Sequence, residues 1–220
     1  MSIQVTYRGE PFPYIIVDDI YTEEELEVLW KWFDLLHPRL MSGDKTGSAK
    51  HFGELRKKNN GIFITHEELK EAGNTAHVPD IIEVNRKTFG LINQLKDSVD
   101  YNQWWIKNIL TCEDRTLVSY YEDSDYYKKH NDCAEITALT WFYREPKRYE
   151  GGDFKFSDYG IPIECKNNRT LIFPSMIHHE VSEVKMKRKY KGKKLGRWVM
   201  SQFTWMSNEG PKQIVDKKED

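Results

Sequence analysis

The feature that most constrains the fold of this chain is a change in hydrophobic period after residue 100. Beyond it, short runs rich in Val, Thr, Tyr, Phe and Trp are typical of β-strands. Turn signals such as Glu150-Gly151-Gly152 and Lys166-Asn167-Asn168 separate the runs. The runs are LVSYYE, YYKKHND, ITALTWFY, DFKF, TLIFP, HHEVSEV and RWVMSQFTW. Many short strands at regular spacing predict an antiparallel sandwich or barrel.

The residues before position 100 have a helical pattern instead. Thr22-Glu23-Glu24-Glu25 is a capping box, and the apolar spacing after it predicts a helix over about 23–36. A second box at Thr65-His66-Glu67-Glu68, with Gly73 as a stop, predicts another short helix. A third apolar stripe predicts a helix over about 81–97. Helices followed by strands indicate an α+β fold.

Composition limits the classes of protein. Among the 220 residues no apolar run approaches the length of about 18 that a membrane span needs. The start of the chain lacks the pattern of a secretory signal, and Cys112, Cys133 and Cys165 form no CxxC pair, so we expect a cytoplasmic protein. The net charge of -2 gives no global reason to expect a nucleic-acid partner. We expect one domain over 1–206 and a polar tail over 207–220.

A histidine and a carboxylate form the start of a metal-site pattern. His130-Asn131-Asp132 places the two ligand types two residues apart, and residues i and i+2 of a strand point to the same face. Mononuclear non-haem Fe(II) sites consist of two histidines and one carboxylate. His66-x-Glu68 and His178-x-Glu180 have the same spacing, but the first lies in a predicted helix cap and the second has no later histidine.

The third ligand of such a site comes from His178 or His179. Strand alternation places His179 on one face with Val181, whereas His178 shares the other face with Glu180. Because the inward face should be apolar, His179 is the predicted ligand. His178 is predicted to face outward or to line the rim.

A strand arginine is a second candidate feature. One face of the last strand carries Arg197, Val199, Ser201, Phe203 and Trp205. A cation on an apolar inward face needs a partner, and the planar guanidinium binds a carboxylate through two hydrogen bonds. Arg197 is therefore predicted to bind a carboxylate. The alternative is an edge arginine exposed to solvent.

These motifs, in this order, resemble the Fe(II)- and 2-oxoglutarate-dependent dioxygenase superfamily in its prolyl 4-hydroxylase-like branch. The resemblance rests on Tyr121, His130-x-Asp132, ITALTWFY, Gly151-Gly152-Asp153-Phe154, Asn168–Ser175, His179-Glu-Val-x-x-Val184 and Gly196-Arg197. PYIIVDDIYTEEELEVL is similar to the usual N-terminal part of this fold. The resemblance implies a double-stranded β-helix, that is, a jelly-roll or cupin-like barrel, with the N-terminal helices packed on one sheet.

The resemblance also implies a chemistry. His130, Asp132 and His179 would hold Fe(II), and 2-oxoglutarate would place its far carboxylate on Arg197. O2 would be the second co-substrate, with ascorbate as an additional reductant and succinate and CO2 as co-products. The carboxylate of Asp132 occupies the position that halogenating relatives leave open, so hydroxylation of an unactivated C–H bond is favoured.

Two aromatic residues are further candidates for the co-substrate site. Tyr121 is similar to a family tyrosine whose hydroxyl contacts the co-substrate, and the alternative is an ordinary strand aromatic. Trp141 stands where the family usually has tyrosine. Its indole N–H can donate to a carboxylate, and the alternative is a core position.

The resemblance implies several possible substrates. The leading expectation is a prolyl residue in a peptide or protein; the alternatives are a free amino acid or other small molecule, and a silent barrel used only for binding. The segment 41–61 lies where relatives carry a substrate-covering loop, and we expect it to close over substrate rather than to be a passive surface loop. The basic run Lys185–Lys194 either docks an acidic partner or is a solvated hairpin. Neither a membrane nor a nucleic acid is an expected partner.

Overall fold

The computed structural model describes residues 3–46, 50–51, 54–65, 81–98 and 113–205. Within these ranges there are two α-helices, α1 (Glu23–Leu36) and α2 (Ile81–Ser98). The strands are β1 (Gln4–Arg8), β2 (Tyr14–Asp18), β3 (Met41–Ser42), β4 (Lys50–His51), β5 (Glu54–Leu55), β6 (Lys57–Lys58), β7 (Asn60–Phe63), β8 (Glu113–Tyr121), β9 (Tyr126–His130), β10 (Ile136–Phe142), β11 (Tyr149–Gly151), β12 (Phe154–Phe156), β13 (Ile161–Ile163), β14 (Arg169–Pro174), β15 (His179–Val181), β16 (Val184–Met186) and β17 (Arg197–Trp205).

The strands form two main antiparallel sheets. The larger has eight strands in the order β1-β2-β14-β10-β17-β8-β7-β3, and the smaller has five in the order β13-β12-β15-β9-β6. Every residue of the central strand β10 is buried. Its Ile136 and Ala138 belong to the core that includes the helices, whereas Leu139 and Trp141 pack with residues of the smaller sheet. The predicted α+β architecture of antiparallel strands with helices on one sheet is confirmed.

The first helix begins where the sequence predicts. Thr22 Oγ1 accepts a hydrogen bond from the Glu25 N–H (3.3 Å), and the Glu25 carboxylate accepts one from the Thr22 N–H (2.7 Å). The helix buries Phe33, which stacks on Trp198 of β17 with ring centroids 5.0 Å apart. The predicted helices over 23–36 and 81–97 are both confirmed. Most of the helix predicted from Thr65 to Gly73, and the whole predicted tail, lie outside the described residues.

The segment 41–61, which the resemblance predicts to be a substrate-covering loop, contains short strands. The strand β7 pairs with β8 of the larger sheet, and β6 pairs with β9 of the smaller one. Burial alternates over 57–61, where Lys57, Asn59 and Gly61 are buried and the residues between them, Lys58 and Asn60, are exposed. The sequence shows no apolar alternation here, because two of the inward residues are polar and the third is glycine.

The surface of the barrel includes the basic run Lys185–Lys194. Lys191 pairs with Asp123, and Lys194 donates to the backbone carbonyl of Asp34 (3.3 Å). These contacts agree with a solvated hairpin rather than with a free basic patch. Neither described helix has the length and apolar character that crossing a membrane requires.

Candidate metal centre and co-substrate pocket

The smaller sheet brings together two histidines and a carboxylate. His130 ends β9, His179 begins β15, and the two residues are partners in the strand pairing. Asp132 follows two residues after His130. One ligand atom from each of the three lies within 4.8 Å of the others, a spacing that suits a single metal ion.

Backbone carbonyls orient both imidazole rings. His130 Nδ1 lies 2.9 Å from the Lys128 carbonyl, and His179 Nδ1 lies 2.9 Å from the Ile177 carbonyl. A carbonyl oxygen only accepts, so the proton of each neutral ring is on Nδ1 and the lone pair is on Nε2. His179 Nε2 is 3.6 Å and His130 Nε2 is 3.9 Å from the Asp132 carboxylate. Both lone pairs are therefore available to a metal beside that carboxylate.

Two hydroxyls hold the carboxylate. Thr137 Oγ1 donates to Asp132 Oδ2 (2.8 Å) and contacts Ser175 Oγ (2.7 Å). The backbone N–H of Asp132 donates to the Ser175 carbonyl (3.0 Å). Sequence reasoning did not select Thr137 or Ser175 for this role. Strand alternation from Leu139 was the available signal, because it places Thr137 on the inward face.

The electrostatic environment favours neutral imidazole. Burial, assisted by the neighbouring His179, holds the pKa of His130 well below its ordinary value of 6.5. A metal ligand must be deprotonated, so this shift keeps the ring in its ligand form. His178 lies outside the cluster: its side chain is 44% exposed, and its Nδ1 is 2.7 Å from Asp158 Oδ2. The structure thus separates the two adjacent histidines as alternation predicts.

The ring of His130 has a further neighbour. Tyr127 stacks on it with ring centroids 3.4 Å apart and an interplanar angle of 11°. Lys57 enters from β6, opposite Tyr127, and lines the same cavity. Sequence reasoning missed both residues, since nothing in the pattern of 41–61 predicted a strand that pairs with β9.

Arg197 is a buried cation without a carboxylate partner. The residue is 1% exposed, and within the described part of the chain no acidic group forms an ion pair with it. Its Nε has no hydrogen-bond partner there, and Nη2 contacts only the Cys165 sulfur at 3.9 Å. Gly152 makes room for it, because a Cβ on Gly152 would lie 2.9 Å from Arg197 Cδ. An unpaired guanidinium on a cavity wall fits an incoming carboxylate.

Tyr121 and Trp141 lie near this arginine in the larger sheet. Tyr121 pairs directly with Arg197 across β8 and β17, and the guanidinium lies 4.9 Å from the Tyr121 ring centroid. Burial raises the pKa of Tyr121 to about 12, so its hydroxyl remains a donor. Trp141 is fully buried and packs on Phe154, with ring centroids 5.9 Å apart. Its Nε1 has no partner among the described residues, so it combines a core position with a free donor.

The cavity extends from the cluster to the arginine. Its wall includes the three cluster residues, Arg197 and Tyr121, together with aromatic and aliphatic side chains. The donor set of two neutral imidazoles and one carboxylate fits Fe(II). The unpaired Arg197 fits the far carboxylate of 2-oxoglutarate. The residues present thus fit both groups.

Comparisons with known proteins agree with this geometry. Residues 116–205 match the family model described as 2OG-Fe(II) oxygenase superfamily. A protein of Synechocystis sp. described as an uncharacterized PKHD-type hydroxylase is 30% identical over 83 residues. That alignment covers 29% of this chain and 27% of the Synechocystis protein, so the chain spans about a quarter of this relative's length.

Two solved structures have a similar fold. A Pseudomonas putida prolyl-4-hydroxylase superposes with a TM-score of 0.56 at 10% identity, covering 88% of this chain and 92% of the other. The 2-oxoglutarate complex of a viral collagen prolyl hydroxylase from Paramecium bursaria Chlorella virus-1 gives 0.50 at 14% identity, covering 87% and 94%. At these identities the likeness concerns the fold, which confirms the predicted double-stranded β-helix. Residues 116–205 thus resemble the 2OG-Fe(II) oxygenase superfamily, and the fold and the donor set of the cavity agree with that match.

Proposed function

We propose that this protein is an Fe(II)- and 2-oxoglutarate-dependent oxygenase. In this proposal it hydroxylates an unactivated C–H bond of a prolyl residue in a peptide or protein, with succinate and CO2 as co-products. The observation that carries the proposal is the pairing of two sites in one cavity. One is the cluster of His130, Asp132 and His179, and the other is the unpaired Arg197. A metal site alone would fit many reactions, whereas a buried carboxylate anchor beside it supports a reaction that depends on 2-oxoglutarate.

In this proposal the cluster of His130, Asp132 and His179 would hold Fe(II). His130 and His179 contribute Nε2, and Asp132 contributes a carboxylate oxygen that Thr137 fixes in place. A metal held by these three residues would remain accessible to its co-substrates. When bound, Fe(II) and 2-oxoglutarate supply the oxidative decarboxylation that activates O2 for C–H hydroxylation.

Arg197 orients the co-substrate. Its burial excludes water from the guanidinium, so a carboxylate that reaches it gains charge-assisted hydrogen bonds in a low dielectric. The neighbouring Tyr121 also lines the cavity, and its hydroxyl would be an additional donor for the same co-substrate. The free Trp141 N–H lies outside the residues that line the cavity. The contacts with Arg197 and Tyr121 would fix the orientation of the molecule before O2 binds.

The prolyl target is the finer part of the proposal. It is supported by the similarity to structures named as prolyl hydroxylases and by the partial match to a PKHD-type hydroxylase. Leu117, Phe203 and Trp205 line the cavity and suit an apolar ring.

Cys133 and Cys165 are both free thiols, which fits the cytoplasmic location that we also propose.

The proposal is tested by a screen of peptides and metabolites with the purified protein, Fe(II), 2-oxoglutarate and O2. The expected result is a target that gains one oxygen atom in step with succinate formation, and a prolyl peptide among the targets. A free amino acid as the sole target would select the small-molecule alternative. Absence of succinate under all conditions would contradict the proposed reaction.

A further inference from the structure

Lys57 is a buried cation that the proposed reaction does not use. It lies on the inner face of the segment that includes β6, and the residue is 4% exposed. Its Nζ donates to Thr46 Oγ1 (3.3 Å) and lies 5.2 Å from the ring centroid of Tyr127. The Tyr127 ring in turn stacks on His130. Lys57 therefore faces the cavity one ring away from the metal cluster.

This ammonium group has no counter-charge of its own. Among the residues that the structure describes, no carboxylate lies within ion-pair distance of Lys57 Nζ. Burial lowers the pKa of Lys57 to about 8, and only the charge of Asp132 acts in the opposite direction. In the proposed function, however, Asp132 is a ligand of the metal, so its charge is already compensated there. A buried ammonium without an adjacent counter-charge is unfavourable, and an anion that binds beside it would remove this cost.

The position of Lys57 separates it from the co-substrate anchor. Arg197 belongs to the larger sheet and pairs with Tyr121, whereas Lys57 belongs to the smaller sheet and pairs with Tyr127. Both cations line the same cavity. Because 2-oxoglutarate would occupy Arg197 and the metal site in the proposed function, an anion at Lys57 would come from another molecule.

Packing around Lys57 also indicates a built position. The backbone of Gly43 approaches its side chain so closely that a Cβ there would lie 3.2 Å from Lys57 Cγ and 2.9 Å from Asn59 Oδ1. Because Gly43 has no side chain, its backbone can pack closely against Lys57 and Asn59. The lysine stem is held along the cavity wall, with its head near the cluster, rather than extended into solvent.

We propose that Lys57 binds a carboxylate of the substrate and thereby selects targets with a negative charge close to the oxidised carbon. This inference rests on the proposed function and adds a substrate class to it. The carboxylate is either the free carboxyl group of an amino acid or the side chain of an acidic residue beside the target in a peptide. The two sources share the same chemistry at Lys57 and are separated by the experiment.

The test uses matched probes with and without the charge. One arm compares free amino acids, L-proline among them, with their amides. The other compares acetylated and amidated proline peptides that carry Glu or Gln next to the proline. Binding to the full chain with Fe(II) and 2-oxoglutarate is measured by tryptophan fluorescence without O2, and succinate formation is measured with O2.

We expect the wild-type protein to bind at least one carboxylate probe about 10- to 100-fold more tightly than its amide. Lys57→Gln should abolish this preference, and Lys57→Arg should retain most of it. Lys58→Gln is the matched control, because Lys58 is the adjacent residue on the exposed face of the same strand. Succinate formation without probe, and the KM for 2-oxoglutarate, should be unchanged in all three variants.

Several results would overturn the role of Lys57. These are a wild-type protein that shows no preference for carboxylate probes, a preference that survives in Lys57→Gln, or a raised KM for 2-oxoglutarate in that variant. Each leaves basal succinate formation intact. Loss of basal succinate formation from the wild-type protein would instead contradict the proposed function itself.

Discussion

Gly152→Ala tests whether Arg197 holds the co-substrate. The backbone of Gly152 has φ +66°, and an added Cβ would lie 2.9 Å from both Arg197 Cδ and Val184 Cγ2. Ordinary carbon contacts are about 3.5–4.0 Å, so the arginine stem has to shift by about 0.6 Å or more. A charge-assisted hydrogen bond contributes about 1.5–3 kcal/mol, and weakening the pair by about 1.4 kcal/mol corresponds to a tenfold loss of affinity.

Gly160→Ala supplies the control for this variant. Gly160 has the same φ of +66°, but a Cβ there would meet nothing within 4 Å. Both variants place alanine in the left-handed region at a cost of about 1–2 kcal/mol, so both should lower the Tm by about 2–8 °C. Only Gly152→Ala should disturb Arg197.

The assay measures succinate formation as a function of 2-oxoglutarate concentration. We expect the KM for 2-oxoglutarate to rise about tenfold in Gly152→Ala and to stay unchanged in Gly160→Ala. An equal KM in the two variants would refute the role of Arg197 as the anchor.

Three other predictions follow from the site. His130→Ala and His179→Ala should abolish 2-oxoglutarate turnover, while the exposed His178 tolerates alanine; equal losses at 178 and 179 would contradict the assignment. Thr137→Val should weaken Fe(II) affinity about 10- to 100-fold in a metal titration, whereas Thr140→Val, which loses a hydroxyl bonded to Thr170 on the other face of the strand, should not. Because the folded pKa of His130 lies below its ordinary 6.5, the unfolded chain binds the proton first, so stability of the metal-free protein should fall as pH falls below about 6.5. Denaturant titrations at several pH values should show that the free energy of unfolding falls less steeply with falling pH in His130→Gln than in the wild-type protein.

Local signals predicted the framework of the molecule. The capping box at Thr22 and Glu25 needs only residues three apart, and it marks the start of α1. Alternation along β15 separated His179 from His178 because one strand face is buried and the other is not. The spacing of His130 and Asp132 likewise required no knowledge of distant residues. Such signals depend on chain geometry within a few residues, so sequence alone carries them.

Contacts between distant segments were beyond sequence reasoning. Lys57 reaches the cavity because β6 pairs with β9, and its own neighbours contain no apolar alternation that would predict a strand. Thr137 and Ser175 meet over the carboxylate only because β10 and β14 are adjacent in the larger sheet. The lack of an acidic partner for Arg197 also depends on tertiary structure, because none of the described segments that pack around the guanidinium places a carboxylate beside it.

Binding of 2-oxoglutarate in the absence of O2, measured by calorimetry with and without Fe(II), tests the central claim most directly. The account predicts tight binding by the wild-type protein that requires Fe(II), and a loss of about tenfold or more in Arg197→Met. It also predicts no Fe(II)-dependent binding in His179→Ala. Binding that is equally strong without Fe(II), or unaffected by the loss of Arg197, would contradict the assignment of this cavity as an Fe(II) and 2-oxoglutarate site.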